Sequence, residues 1–153
     1  MLGSGSWGLA LALRAAAGGH EVRVLGRRSP DLTELAETRT SDRYLPGFEL
    51  PADVSVLPLD SAPAWDGWGI VAVPSDAVVE TSGVLASCGQ VLLASKGIER
   101  ASGRLLSGLV HEACPDSEVA VLGGPNLAVE VAAGMPSVAV AASREPGTAE
   151  SAR

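Results

Sequence analysis

The motif Gly3-Ser4-Gly5-Ser6-Trp7-Gly8, followed at once by Leu9-Ala10-Leu11-Ala12-Leu13, constrains this chain more than any other feature. It is a G-x-G-x-x-G turn opening into a run of strong helix formers. Gly3 permits a tight turn, Gly5 lets a pyrophosphate approach the backbone, and Gly8 lets the helix lie close on a strand. The helix N-terminus adds free N–H groups and a partial positive charge that suit phosphates. Glycine is common here, 18 in 153 residues, so the motif alone is a weak signal. Its context strengthens it: a helix-compatible run over 7–17, a stop at Gly18-Gly19, and an alternating segment over 21–25 that reads as a strand. Turn, helix, turn and strand follow one another at βαβ spacing. Only Met1 and Leu2 precede the motif, so the strand that should lead into it reads as truncated.

The rest of the chain continues the alternation. A turn over 26–30 leads to a short helix over 31–37 and a polar loop over 39–51. Strands are expected at 54–56, 69–73, 90–94, 118–122 and 137–142. A turn with at most one helical turn fills 61–67. Pro74 ends one strand, and Ser75 is placed to cap a helix running through Leu85. Further helices are expected over 105–113 and 126–133, the second capped by Asn126. The last residues, from Pro146, read as a helix start with Thr148 as a cap. Strands alternating with helices imply an α/β, Rossmann-type, doubly wound and mostly parallel sheet. Residues 1–145 are expected as one dinucleotide-binding domain and 146–153 as the start of a cut helix.

Composition narrows the function. With 46% hydrophobic residues but 3% aromatics, the core must be built from Ala, Val and Leu. A net charge of −7 argues against nucleic acid or an anionic membrane as the main partner. No apolar run is long enough to span a bilayer, and no basic n-region marks a signal peptide. Cys88 and Cys114 stand in no metal or redox spacing; they read as structural thiols, suited to a reducing cytoplasm. His20 and His111 read as structural or solvated, and no metal site is expected.

Three places carry chemistry. Arg27 and Arg28 follow the second strand, where an acid would bind the ribose 2′-hydroxyl of NAD and an arginine the 2′-phosphate of NADP. Two arginines and no acid tilt the reading to NADP, with NAD as the alternative. Lys96, the only lysine, follows the strand ending at Ala94, on the side where open α/β sheets bind ligands; there it can meet a phosphate or a developing oxyanion. Gly124-Pro125-Asn126-Leu127-Ala128-Val129-Glu130 repeats the strand–turn–helix geometry, with helix N–H groups that could hold an anion.

Together these stretches resemble the N-terminal domain of the bacterial NAD(P)-dependent glycerol-3-phosphate dehydrogenases. The match runs through Gly3–Gly8, Gly19-His20-Glu21-Val22, Arg43-Tyr44-Leu45-Pro46-Gly47, Val73-Pro74-Ser75, Ala94-Ser95-Lys96-Gly97-Ile98-Glu99 and Gly124–Glu130, to about Ser143. The resemblance implies reversible hydride transfer between NAD(P)H and the dihydroxyacetone phosphate / sn-glycerol 3-phosphate pair, feeding phospholipid synthesis. It places Ser6, Trp7 and Arg27 at cofactor contacts, with Arg28 a further one, and Ala128 at another. Lys96 falls where both cofactor and substrate are touched, and Gly124 and Asn126 where substrate is. Asn126 departs from the hydroxyl residue usual in the family. The family's catalytic base is a lysine in a C-terminal helical domain with no counterpart here, so no catalytic residue is assigned and little turnover is expected of these 153 residues alone. The resemblance further implies a homodimer for the full-length enzyme. The alternatives are a related Rossmann dehydrogenase of the 6-phosphogluconate or ketopantoate reductase type, and a non-catalytic dinucleotide-binding module.

Overall fold

A computed structural model describes residues 1–152. In chain order the elements are α1 (Ser6–Ala17), β1 (Arg23–Gly26), α2 (Pro30–Thr38), β2 (Ser55–Pro58), β3 (Trp68–Val71), α3 (Val78–Thr81), β4 (Gln90–Leu93), α4 (Leu106–Ala113), β5 (Glu118–Gly123), α5 (Ala128–Ala132), β6 (Val140–Ser143) and α6 (Pro146–Ser151). The chain forms two compact units. One comprises Met1–Ala62 and Asn126–Val138; the other comprises Pro63–Pro125 and the stretch from Ala139 onward. The residues expected as one domain are thus shared between both.

In the first unit β1 and β2 run parallel, Arg23 opposite Ser55 and Gly26 opposite Pro58. Along the other edge of β1 lie Met1–Gly3. Leu25 N–H donates to the Met1 carbonyl at 2.8 Å, and Gly3 N–H donates to the Leu25 carbonyl at 2.8 Å. The short lead-in to the glycine motif is therefore paired as a strand would be. α1 presents Leu9, Ala10 and Ala12 to a core completed by Val22, Val24, Leu35, Leu45, Leu50 and Val54. This is the aliphatic core that the scarcity of aromatics demands; truncating a residue such as Leu9 would cost about 2–5 kcal/mol. α1 ends where Gly18 N–H closes onto Arg14 and Ala15 carbonyls at 3.0 and 3.1 Å. α2 starts one residue earlier than expected because Ser29 caps it, its hydroxyl accepting from Leu32 N–H at 3.2 Å with Pro30 at the first helical position. Arg39 then leaves α2 in the left-handed region (φ 66°). Its guanidinium donates to the Pro51 and Val54 carbonyls at 2.5 Å each, which pins the loop that follows.

In the second unit β3, β4 and β5 are parallel and β6 is antiparallel to β5, so the sheets are mostly parallel. Ser95 is buried just past β4; its hydroxyl donates to the Val73 carbonyl at 2.6 Å, extending the lacing between the ends of β3 and β4.

Three local expectations are corrected. The helix expected through Leu85 is broken into a 3-10 turn (Ser75–Ala77), one α-turn and a second 3-10 turn (Ser82–Leu85), and Ser75 makes no cap bond. Val78, Val79, Thr81 and Gly83 are weak helix formers, and the Thr81 hydroxyl donates back to the Ala77 carbonyl at 2.7 Å. Asn126 does not cap α5, which starts two residues later at five residues' length, too short to act as an anion site. Thr148 lies inside α6 rather than at its start. It is 1% exposed, and its hydroxyl donates to the Glu118 carboxylate, a partner distant in sequence, instead of capping the helix start.

Candidate functional site

The glycine motif takes the form its spacing requires. Gly3 has φ 117°, open to glycine alone at low cost, and turns the chain out of its pairing with β1. Gly5 is the N-cap of α1 with ordinary extended angles, no side chain caps the helix, and no acid stands in its first turn. An α-helix start leaves its leading N–H groups without intrahelical acceptors, and α1 begins at Ser6. A side chain built at Gly5 would meet nothing within 4 Å. The protein's own packing thus does not require glycine there; an approaching pyrophosphate does. That open cradle in front of a helix start fits a dinucleotide. Gly8 is buried within α1, and Trp7 packs its ring against the unit's core.

Gly26 was not singled out by the sequence, yet it lies against Ser4 of the glycine motif. A Cβ there would stand 2.7 Å from both Leu32 Cδ1 and Ser4 Oγ. Glycine at the end of β1 is what lets the glycine-rich turn and α2 close around the same corner. Its only sequence signal is its place just before Arg27.

Arg27 and Arg28 leave that corner into solvent and diverge in their bonding. Arg28 Nε donates to Asp60 Oδ2 at 2.8 Å and Nη2 donates to Ser61 Oγ at 3.0 Å. The bond and charge of Asp60 raise the guanidinium's pKa, and Arg28 holds the Asp60 carboxyl below its ordinary value. Arg27 makes no hydrogen bond or ion pair with the described residues.

In the second unit Lys96 is exposed, and its ammonium donates to the Gly124 carbonyl at 2.6 Å. The pair joins the loop after β4 to the end of β5, both at carboxyl ends of parallel strands. Asn126, two residues on, belongs to the first unit, where its Nδ2 donates to the Val138 carbonyl at 3.0 Å. Its Oδ1 is buried without a partner among the described residues. The amide's donor end is thus committed to Val138, whereas a phosphate contact needs a donor. Ala128 is half-buried against the first unit's core together with Val131 and Ala132.

His20 and His111 are exposed. Cys88 and Cys114 are buried free thiols whose pKa values burial pushes up, in keeping with a structural role. Among the described residues no cluster of three or more His, Cys, Asp or Glu could hold a metal, and no helix is long and apolar enough to cross a membrane.

A family model described as the NAD-dependent glycerol-3-phosphate dehydrogenase N-terminus matches residues 1–149. The chain is 38% identical over 160 aligned residues to a glycerol-3-phosphate dehydrogenase (NAD(P)+) of Pelodictyon phaeoclathratiforme, covering 98% of this chain and 47% of the relative. It is 39% identical to the enzyme of the same name from Deinococcus radiodurans, covering 97% of this chain and 45% of that one. The crystal structure of glycerol-3-phosphate dehydrogenase from Coxiella burnetii superposes with a TM-score of 0.87 at 30% identity, covering 99% of this chain and 48% of that one. The chain spans about half the length of the curated relatives it matches.

Proposed function

The chain belongs to the NAD-dependent glycerol-3-phosphate dehydrogenase N-terminus family, and from that membership we propose that it is the cofactor-binding part of an enzyme that interconverts dihydroxyacetone phosphate and sn-glycerol 3-phosphate with NAD(P)H. The observation that carries this reading is the bond from Lys96 to the Gly124 carbonyl, which brings a lone lysine and a substrate-position glycine together at the carboxyl ends of β4 and β5. When bound, the nicotinamide supplies or accepts the hydride. The residues of this chain do the rest by binding and orientation.

Gly3, Gly5 and Gly8 leave room for the pyrophosphate, and the N–H groups of Ser6 and Trp7 face it with the positive end of α1. Arg27, without a partner among the described residues, offers a planar fork to a 2′-phosphate. Arg28 is the second guanidinium of that corner. NADP(H) is therefore the favoured cofactor and NAD(H) the alternative. Lys96 holds the substrate's phosphate or its developing oxyanion, its direction fixed by the Gly124 carbonyl. Gly124 and Asn126 stand at the substrate-contacting positions that family membership implies, and Ala128 offers a close wall to the cofactor. We assign Lys96 to binding and no described residue to proton transfer. The product would feed phospholipid synthesis in the cytoplasm, made by a full-length homodimer that binds no nucleic acid and does not insert into a membrane.

The test is a fluorescence titration of the purified chain with NADPH and, separately, NADH. Saturable binding that favours NADPH and weakens on Arg27→Ala is expected. Binding of neither cofactor would overturn the reading.

A further inference from the structure

The corner formed by β1 and β2 contains a carboxylate that lies far from Arg28 in sequence. In this fold the acid that selects NAD sits at the end of the second strand of the βαβ unit; at that place stand Arg27 and Arg28. The register of β1 on β2 sets Gly26 opposite Pro58, so the residues following each strand emerge side by side. Asp60 comes from the 3-10 turn Leu59–Ser61 directly after β2. Its Oδ2 accepts from Arg28 Nε at 2.8 Å, and its Oδ1 accepts from Ser61 Oγ at 3.2 Å. Ser61 Oγ in turn accepts from Arg28 Nη2 at 3.0 Å. Arg28 is thus gripped by two residues, while Arg27 beside it has no partner among the described residues.

We propose that Asp60 sets how strongly this corner prefers a 2′-phosphorylated dinucleotide, by occupying Arg28 and leaving Arg27 as the available guanidinium. The inference rests on the dinucleotide-binding reading above. A 2′-phosphate arriving here must take Arg28 from Asp60 and then lie beside the displaced carboxylate. A ribose 2′-hydroxyl faces neither cost, and an adjacent carboxylate can accept its proton. The pair is open to this exchange, since the side chains of Arg28 and Asp60 are 65% and 62% exposed and such pairs hold weakly. Asp60 therefore keeps the site serviceable to both cofactors, where two unopposed arginines would select NADP(H) sharply.

The experiment measures NADPH and NADH dissociation constants by nicotinamide fluorescence for the wild type, Asp60→Asn, Arg28→Ala and the double variant. Asp60→Asn is expected to raise the preference for NADPH over NADH by roughly three- to tenfold at low salt, the size of one charge removed at close range. Arg28→Ala is expected to cost NADPH more in the Asp60→Asn background than in the wild type, because only there is Arg28 free to bind. An unchanged preference, or one moved toward NADH, overturns the proposal. So does an equal cost of Arg28→Ala in both backgrounds, which would mean bare repulsion without any hold on Arg28. Wild-type protein that binds neither cofactor overturns the cofactor reading along with it, whereas retained NADH binding with no shift in preference overturns this inference alone.

Discussion

The ammonium of Lys96 donates to the carbonyl of Gly124 at 2.6 Å, so one side chain bridges the ends of two adjacent parallel strands. Lys96→Met removes an exposed bond and should cost less than about 1 kcal/mol of stability, as urea unfolding would show. Under the proposed function it should also lower kcat/KM for dihydroxyacetone phosphate by about a hundredfold or more, the usual loss when one donor to a developing charge is removed. That arm is measured in the chain fused to the C-terminal half of the Coxiella burnetii relative. A loss of several kcal/mol with unchanged kinetics would reassign Lys96 to holding the two loops.

Gly5 and Gly26 are both glycines of one corner, and they should fail differently. Gly5 has ordinary backbone angles and open space where a Cβ would go, so Gly5→Ala should leave the melting temperature within about two degrees while weakening NADPH binding about tenfold or more. Gly26→Ala forces a Cβ to within 2.7 Å of Leu32 and Ser4 and should destabilise by about 1–3 kcal/mol. Equal stability losses in both would contradict the assignment of Gly5 to the ligand.

Glu118 should make stability depend on acid. Its carboxylate accepts from Thr148 Oγ1 and, at 3.0 Å, from Gln90 Nε2, and these bonds hold its pKa below the ordinary value. A carboxyl depressed in the folded state contributes stability above its unfolded pKa, near 4.3, and loses it as pH falls through the lower folded value. Thermal melts of the wild type should therefore drop more steeply below about pH 4.3 than those of Glu118→Gln, whose amide can still accept but does not titrate. Parallel curves would mean the bonds to Thr148 and Gln90 carry no charge dependence.

Much of the fold was legible because its causes are local. The glycine turn, α1 and its stop at Gly18-Gly19, the apolar strands and α4 all follow from φ requirements, helix propensity and hydrophobic period, which are properties of near neighbours in the chain. The errors fall on cap residues. Ser75, Asn126 and Thr148 each satisfy the cap rule by residue type, yet Asn126 donates to Val138 and Thr148 to Glu118, and Ser75 caps nothing.

By itself, then, the sequence determined the α/β alternation, the phosphate turn and the presence of Arg27, Arg28 and Lys96 at strand ends, since those depend on order along the chain. Only the tertiary structure decided which of these side chains is occupied. Arg28 meets Asp60 across 32 positions, Lys96 meets Gly124 across 28, and the side chains of Ser4 and Leu32 converge on Gly26. A donor takes whichever acceptor packing delivers to it, and packing over such separations is a property of the folded unit, with no local pattern to announce it.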